Sequence, residues 1–477
     1  MDLISTPFFL EFSCFFLFYV IPLLILASGV RSLKTRQKNL PPGSSGLPFI
    51  GETIQFRHQE KFVLDRMKKY SPDIFKTSIL GDEVAVICGP DGHKFIFSNE
   101  NKLFTPILPY SMQKILLSNS SSPKIKEEIK TVKTLPGFLK TEDLAMCIGI
   151  MDSINQQQMR TFWDGQDEVK AFPLAKSLTL SIACRLFMGT EDPGLVARTI
   201  TRLDDVKVGM FSAPLNFPGT NFHKACKAAA AVHEELLRII SEKKAAMARG
   251  APTTLDFLSH LILATGESGQ GMTEVEIADK FMGILIVGYG TVATVMTLFM
   301  KYVGERPDVY NQVLKEQQEI AACKKPEELL NRDDMQKMKY SWNVLCEVMR
   351  VKPAIQGTII REVMTEFTYA GYTVPKGWKV YWNVNSTNKN PEYFPDPEKF
   401  DPSRHSETSN LPLFTFVPFG GGPRMCPGKE YARLVTLTFV HNLVKRFRWD
   451  MVIPDERILG ETMPFPEQGL PVRLYHH

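Results

Sequence analysis

Residues 273–305, TEVEIADKFMGILIVGYGTVATVMTLFMKYVGE, limit the possible folds more than any other segment. Thr273 followed by Glu276 three residues later makes a capping box, which indicates where a helix begins. The middle of the segment is apolar on almost every face, so the helix must run through a protein interior. A chain of 477 residues is long enough to build a core around such a helix.

The remaining patterns predict a mainly α-helical fold with a minor β region. Residues 223–250 read as a long amphipathic helix that ends at Gly250. Residues 82–89, DEVAVICG, read as a short strand. The stretch FTYAGYTVPKGWKVYWNV alternates in polarity and carries the turn signal Pro375-Lys376-Gly377, which predicts a hairpin. No linker divides residues 51–477, so we expect one domain there.

The N-terminus carries a candidate membrane anchor. Residues 12–27 hold no charged side chain, and residues 8–30 hold only Glu11. A helix of this length spans about 30 Å of hydrocarbon. A cleaved signal peptide is the alternative, but no short apolar region is followed by an A-x-A-like cleavage site. We therefore expect an uncleaved anchor over residues 1–30.

The segment after the apolar stretch is basic and then rich in proline. RSLKTRQK carries four cationic side chains, and positive charge stays on the cytosolic side of a membrane. NLPPGSSGLPFIGE reads as a stiff, non-helical elbow, or as a plain linker. Residues 31–50 are thus predicted to be a hinge, with the bulk of the protein facing the cytosol.

Charge and cysteine usage exclude several classes of protein. The net charge is 56 − 52 = +4, too small and too scattered for a nucleic-acid-binding surface. The eight cysteines are far apart and form no CxxC pair, so neither a zinc site nor a disulfide framework is indicated. This usage suits a reducing compartment.

Residues 419–428, FGGGPRMCPG, present a lone cysteine in a loop too rich in glycine to pack a core. Glycine permits positive φ angles and close approach of the backbone to a ligand. The following stretch is helical, so Cys426 lies just before a helix N-terminus, where amide dipoles stabilise a thiolate. A thiolate on a rigid loop is a suitable ligand for a flat iron macrocycle, and Arg424 could pair with a carboxylate of that macrocycle.

This loop resembles the haem-binding loop of cytochrome P450 enzymes, F-x-x-G-x-R-x-C-x-G. The matching residues are Phe419, Gly422, Arg424, Cys426 and Gly428. The resemblance implies a cytochrome P450 fold over residues 51–477 as one haem-thiolate catalytic domain. It also implies haem b, with Cys426 as the axial thiolate of the iron, a ligand that favours O–O cleavage.

A second family motif is E-x-x-R, here EVMR. Glu347 and Arg350 lie one helical turn apart and can pair; taken alone, such a pair is usually a solvated surface bridge. The resemblance implies that Arg404, in FDPSRH, joins them in a buried structural triad that braces the haem pocket. A phenylalanine usually follows that arginine in the family, whereas this chain has His405.

The interior helix carries the family's oxygen-activation pattern in altered form. Thr291 matches the threonine, but Gly290 stands at the position of the usual acid and Val292 at the usual second hydroxyl. In the family these groups deliver protons, which O–O cleavage requires. The missing acid therefore alters the proton relay. Alternatively, Thr291 is a helix threonine that bonds its own i−4 carbonyl group.

Further contacts to the haem carboxylates follow from the resemblance alone. Arg361 in GTIIREV is the candidate after the E-x-x-R helix. On an early helix, the stretch KEEIKTVKTLPGFLK offers only lysines, of which Lys130 and Lys133 are nearest.

The flanking stretches resemble the plant group that oxidises triterpenes, with taxane hydroxylases nearby. They include SPDIFKTSILGDE, PLNFPGTNFHKA and YAGYTVPKGWK. Family topology places five mostly apolar segments near the substrate, and this composition suits a bulky, poorly soluble ligand as well as core packing. These segments are residues 103–117, 211–222, 282–291, 354–360 and 463–469.

The resemblance implies a monooxygenase that inserts oxygen from O₂ into a C–H bond of a cyclic triterpenoid of the β-amyrin or dammarane type. No G-x-G-x-x-G follows a strand, so electrons from NADPH should arrive through a separate cytochrome P450 reductase; Lys429 and Arg433 could meet its acidic surface. The expected location is the endoplasmic reticulum membrane. Alternatives are a taxane-type diterpenoid or sterol hydroxylase, an enzyme that rearranges hydroperoxides, and a haem-binding protein without turnover.

Overall fold

The computed structural model describes residues 39–116, 141–250, 256–263, 272–325, 327–357, 360–406, 410–460 and 462–477. The predicted anchor over residues 1–30 and the lysines Lys130 and Lys133 lie outside these ranges.

Helices make up most of the described chain. In chain order they are α1 Gln59–Lys69, α2 Gly89–Ser98, α3 Tyr110–Leu116, α4 Thr141–Met146, α5 Ile148–Phe162, α6 Ala171–Ala183, α7 Pro193–Met210, α8 Asn221–Ala248, α9 Phe257–Leu263, α10 Glu274–Gly304, α11 Pro307–Ala322, α12 Arg332–Lys337, α13 Lys339–Val351, α14 Asn385–Asn388 and α15 Lys429–Val444.

The strands are short. They are β1 Ile74–Ile79, β2 Asp82–Ile87, β3 Phe104–Pro106, β4 Glu168–Lys170, β5 Arg361–Val363, β6 Phe367–Tyr369, β7 Tyr372–Val374, β8 Lys379–Tyr381, β9 Phe447–Met451, β10 Ile458–Leu459, β11 Phe465–Pro466 and β12 Pro471–His476. The mainly α composition with a minor β region is as predicted.

The chain divides into two compact units, and the smaller one combines residues up to 105 with residues 360–383. Its sheet has the strand order β1-β2-β8-β5-β3. β1 and β2 pair antiparallel, whereas β8 joins β2 in parallel. The sheet buries apolar side chains such as Phe75, Val86 and Tyr381 against Phe62 of α1. The described part of the predicted hinge contains no helix and bonds to this sheet, because Pro42 O accepts from the Lys76 N–H at 2.8 Å.

The larger unit is a helical core built around α10. The helix begins with the predicted capping box, in which Thr273 and Glu276 bond each other's backbone N–H groups. It continues unbroken through Gly283, Gly288 and Gly290 to Gly304. α6, α8, α13 and α15 all pack against it. A small antiparallel sheet in the order β4-β12-β9 also belongs to this unit, and its strand β9 packs against α10.

Two helices among the described residues are long and apolar enough to span a membrane. They are residues 171–188 and α10, and 61% and 72% of their most apolar windows are buried within the protein. Both are therefore explained as core helices. The long helix predicted over residues 223–250 is confirmed as α8, which ends before Gly250 at a φ of 81°.

The predicted hairpin turn at Pro375-Lys376-Gly377 is wrong. β6 pairs with β7 around a turn at Ala370 and Gly371, whose φ angles of 49° and 82° are both in the left-handed region. Two consecutive positive φ angles match the right-handed twist of a two-residue hairpin. The chain then passes Gly377 into β8, which pairs with β2 and β5 instead.

Candidate haem-thiolate site

The cysteine loop is held rigid by its own backbone. Gly420 and Gly422 have φ angles of 69° and 66°, in the left-handed region that favours glycine. The Cys426 N–H donates to the Phe419 carbonyl oxygen at 2.9 Å and closes the loop on itself. Phe419 packs against the core of the larger unit. The loop therefore presents the Cys426 thiol from a fixed backbone.

Two opposing effects act on the pKa of the Cys426 thiol. Burial raises the pKa of the thiol, and a hydrogen bond from the Gly428 backbone N–H lowers it by less. Burial thus opposes the charged form of this side chain more than the hydrogen bond favours it, and a thiolate at Cys426, directly before α15, stays a prediction. A metal cation bound at Sγ reverses this balance, because a coordinating thiol is deprotonated outright.

Glu347 and Arg350 form a fully buried pair on α13. Nε and Nη2 of Arg350 donate to the two carboxylate oxygens of Glu347, each at 2.8 Å. The same guanidinium donates to the carbonyl groups of Asn388 at 2.9 Å and Pro397 at 2.8 Å. Burial would raise the pKa of Glu347, but hydrogen bonds from Arg350 and His405 outweigh it and hold the pKa at about 2. The pair is ionised and anchors three chain segments.

Arg404 lies near the Glu347–Arg350 pair but does not hydrogen-bond to it. Its Nε lies 3.7 Å from Oε1 of Glu347, while its Nη2 donates to the Asp396 carbonyl oxygen at 3.1 Å. His405 instead bonds the carboxylate, with Nε2 at 2.9 Å from Oε2 of Glu347. The structure thus brings the three predicted triad residues together and adds a fourth that sequence reasoning did not assign.

The α10 residues predicted to act in proton delivery have different surroundings. Thr291 is half-buried, and its hydroxyl donates to the Val287 carbonyl oxygen at 2.9 Å. This is the i−4 bond of the alternative interpretation, although the hydroxyl oxygen can still accept a hydrogen bond. Gly290 is buried against Met463: a Cβ at this position would lie 3.6 Å from the Met463 methyl group. No sequence pattern predicted that contact.

One stripe of α10 differs from the rest of the helix. Val287 is 58% exposed on a helix that is otherwise mostly buried. A Cβ added at Gly283 or Gly288 would meet nothing within 4 Å. Ile284 and Thr291 lie on the same side at helical spacing and are half-buried. The stripe is an apolar surface with one hydroxyl, suited to a flat or bulky apolar group.

Behind this stripe, a polar cluster fixes α10 to its neighbours. The Tyr289 hydroxyl donates to Asp204 of α7 at 2.9 Å, and Lys176 of α6 reaches the other oxygen of Asp204 at 2.5 Å. Thr179 of α6 donates to the Tyr289 carbonyl oxygen at 3.2 Å. Burial raises the pKa of Tyr289 far above its usual range. The cluster holds α10 in place beside Gly290, and nothing in the sequence indicated it.

Arg361 belongs to the smaller unit. It is buried in β5, and its Nε donates to Oε2 of Glu100 at 2.7 Å. A contact of Arg361 with a haem carboxylate stays a prediction. Arg424 lies half-buried in the larger unit, in a 3₁₀ turn over Gly422–Arg424.

Comparison with known proteins decides the family. The family model described as Cytochrome P450 matches residues 41–463. The chain belongs to the cytochrome P450 family. The fold agrees: a retinoic acid-bound cyanobacterial CYP120A1 superposes with a TM-score of 0.82 at 29% identity, over 92% of this chain and 100% of that one.

Several relatives of this cytochrome P450 carry names that state a reaction. A beta-amyrin 28-monooxygenase of Vitis vinifera is 51% identical over 92% of both chains. Another, from Medicago truncatula, is 49% identical over 98% of this chain and 96% of its own length. A beta-amyrin 6-beta-monooxygenase of Solanum lycopersicum is 45% identical over 98% of this chain and 99% of its own. The relatives thus share a substrate name but differ in the carbon named.

The residues of this cytochrome P450 fit the haem-thiolate group that the family carries. The loop between Phe419 and Gly428 offers one thiol on a backbone that two left-handed glycines shape. A soft thiolate is a suitable ligand for haem iron. α10 packs on α15, the helix that begins directly after this loop, and offers an apolar stripe of small side chains. Cys426 is thus the candidate axial ligand, and Arg424 the candidate partner of a haem carboxylate.

Proposed function

We propose that this cytochrome P450 inserts one oxygen atom from O₂ into a C–H bond of a cyclic triterpenoid of the β-amyrin or dammarane type. The observation that carries the substrate class is the match to relatives named beta-amyrin monooxygenases over almost the whole chain. The apolar stripe around Val287, with Thr291 as its hydroxyl, is compatible with such a ligand. Because those relatives name different carbons, the carbon attacked is not assigned.

The chain's own residues have four tasks in this reaction. When bound, the haem supplies oxygen activation. The loop holds the Cys426 sulfur at a fixed place, and the buried Glu347–Arg350 pair ties α13 to the segments at Asn388 and Pro397. The Thr291 hydroxyl, which donates to the Val287 carbonyl oxygen, can accept a hydrogen bond from a water molecule and hold that water in place. The stripe of α10 offers an apolar surface against which the substrate can pack.

Electrons are proposed to come from NADPH through a separate cytochrome P450 reductase at the endoplasmic reticulum membrane. Lys429 at the start of α15 is exposed and available to an acidic partner. Arg433 is a weaker candidate because it already bonds both oxygens of Glu430, at 2.9 and 2.7 Å.

Two exposed apolar groups support a membrane location. In the smaller unit Leu47, Phe49, Ile54 and Leu80 are 63–76% exposed. In the larger unit Phe211, Leu215 and Phe217 are 51–56% exposed in the segment between α7 and α8. Clusters of exposed large apolar side chains mark sites of contact with a membrane or a partner. They are compatible with a catalytic domain that rests on the cytosolic face beside a single-pass anchor.

The substrate proposal is tested by product analysis in yeast that expresses this chain, a plant reductase and one triterpene scaffold at a time. We expect a product heavier by one oxygen that carries ¹⁸O from ¹⁸O₂ and disappears without the reductase. A Cys426→Ser chain is the control for host oxidation. A normal CO-bound spectrum with no product on any triterpene would contradict the substrate class and favour a taxane-type diterpenoid or a sterol.

A second candidate function rests on Gly290, which lacks the acid of the usual relay. An enzyme that rearranges hydroperoxides needs neither O₂ nor NADPH, so NADPH dependence separates the two candidates. A haem-binding protein without turnover would show neither NADPH-dependent oxidation nor rearrangement of hydroperoxides.

Replacing Gly290 with Asp tests the relay directly. A Cβ at this position would lie 3.6 Å from the flexible Met463 side chain, an ordinary contact. We expect the share of NADPH converted to product to rise severalfold, because a positioned acid accelerates proton transfer. Product and peroxide are measured per NADPH consumed. Gly290→Asn, of equal size but without the acid, is the control; if both variants match the native chain, position 290 is not part of a proton relay.

A further inference from the structure

The Glu347 carboxylate has a complete set of donors in which Arg404 plays no hydrogen-bonding part. Oε1 accepts from Arg350 and from the Asp401 backbone N–H, each at 2.8 Å. Oε2 accepts from Arg350 at 2.8 Å and from His405 at 2.9 Å. Arg404 lies 3.7 Å from Oε1, and its buried Nε has no hydrogen-bond partner. The fourth hydrogen bond of the carboxylate therefore comes from the imidazole.

The His405 ring also touches the segment that leads into the cysteine loop. Its side chain is 4% exposed. The ring centroid lies 4.6 Å from that of Phe416, tilted by 48°, and 6.4 Å from that of Phe394. Phe416 stands three residues before Phe419, whose carbonyl oxygen accepts from the Cys426 N–H. One imidazole thus bonds Glu347 on one side and packs on the base of the cysteine loop on the other.

We propose that His405 is a positioning residue for the haem-thiolate loop. It has taken over the Glu347 contact that the family pattern assigns to Arg404. The hydrogen bond at 2.9 Å fixes the ring, and the ring fixes Phe416, so the rigid Glu347–Arg350 pair is coupled mechanically to the backbone of the loop. Arg404 then serves chiefly to hold the Asp396 carbonyl group, at 3.1 Å. The inference depends on the family's haem and not on which substrate is oxidised.

The test compares four variants of the full-length holoprotein. His405→Gln and His405→Met have side chains of nearly equal shape and differ in the amide donor. His405→Phe keeps an aromatic ring against Phe416 without the donor, and Arg404→Met removes the charge assigned to Glu347 by the family pattern. Two quantities are measured on folded protein: the rate at which haem transfers to an acceptor apoprotein, and the share of the reduced CO complex with the thiolate spectrum.

We expect haem loss about tenfold faster, with a lower thiolate share, for His405→Met and His405→Phe, since a hydrogen bond to a buried charge is lost. His405→Gln and Arg404→Met should stay within about twofold of the native chain. Loss by Arg404→Met as fast as by His405→Met would overturn the proposal. The proposal would also be overturned if His405→Gln lost haem as fast as His405→Met. If neither His405→Gln nor His405→Met folds, the rates of haem loss from His405→Phe and Arg404→Met are compared instead. Equal rates for these two variants would overturn the proposal.

Discussion

Replacing Cys426 with Ser is expected to abolish the thiolate-type absorbance of the reduced, CO-bound protein and to eliminate turnover. The loop backbone should survive, because the φ angles of Gly420 and Gly422 and the bond from residue 426 to Phe419 do not involve the sulfur. A hydroxyl is a poor substitute for a thiolate, which is the softer ligand and the stronger electron donor to haem iron. The measurements are the CO-difference spectrum and product formation.

Cys323→Ser is the matched control. Cys323 is an exposed free thiol at the end of α11, so its replacement should change neither the spectrum nor turnover. If the Cys426→Ser chain retains the thiolate spectrum, the assignment of Cys426 as axial ligand is wrong.

Replacing Arg350 with Met is expected to cost about 3–5 kcal/mol of stability, because it leaves the buried carboxylate of Glu347 without its main partner. Both side chains of the pair are 0% exposed, and Arg350 also loses its bonds to Asn388 and Pro397. The free energy of unfolding is measured from the denaturant dependence of far-ultraviolet circular dichroism.

Arg433→Met provides the control with the same spacing. Arg433 and Glu430 are also an i, i+3 pair bonded at two positions, but their side chains are 24% and 22% exposed. Loss of such a partly exposed pair should cost about 0–1 kcal/mol. Equal losses for the two variants would contradict the view that the Glu347 pair braces the larger unit.

The same pair predicts a pH dependence. The pKa of Glu347 is lowered to about 2 in the folded chain. A depressed carboxyl pKa stabilises the fold above the unfolded-state value of about 4.3, and this contribution disappears as the pH falls towards 2. In the Arg350→Met variant the pKa of Glu347 should rise towards its unfolded-state value. The free energy of unfolding of this variant should therefore depend less on pH over the same range.

The features that could be predicted from the sequence are those encoded by short local motifs. Three features follow from residue spacing within a single short stretch of chain. They are the capping box at Thr273, the end of α8 before Gly250 and the proximity of Glu347 to Arg350. The family followed from the loop around Cys426 for the same reason.

Contacts between distant segments were beyond sequence reasoning. Met463 lies against Gly290 across 173 residues of chain, and Asp204 bonds Tyr289 across 85. No period or motif encodes such pairs, because each depends on how separate helices pack. The position of the hairpin turn was predicted wrongly for another reason. Pro375-Lys376-Gly377 is a strong turn signal, but Ala370-Gly371 supplied the two left-handed residues that the pairing of β6 with β7 required.

The composition of the smaller unit constrains how the chain is synthesised. β2 ends at Ile87, yet its parallel partner β8 begins at Lys379. At a translation rate of about 5–20 residues per second, the intervening roughly 290 residues take on the order of 15–60 s to emerge. During that interval the β1–β2 hairpin has an unpaired edge, the kind of surface that pairs with other chains. The edge of β2 in the nascent chain is therefore expected to stay open to pairing with other chains until the second half of the sheet leaves the ribosome.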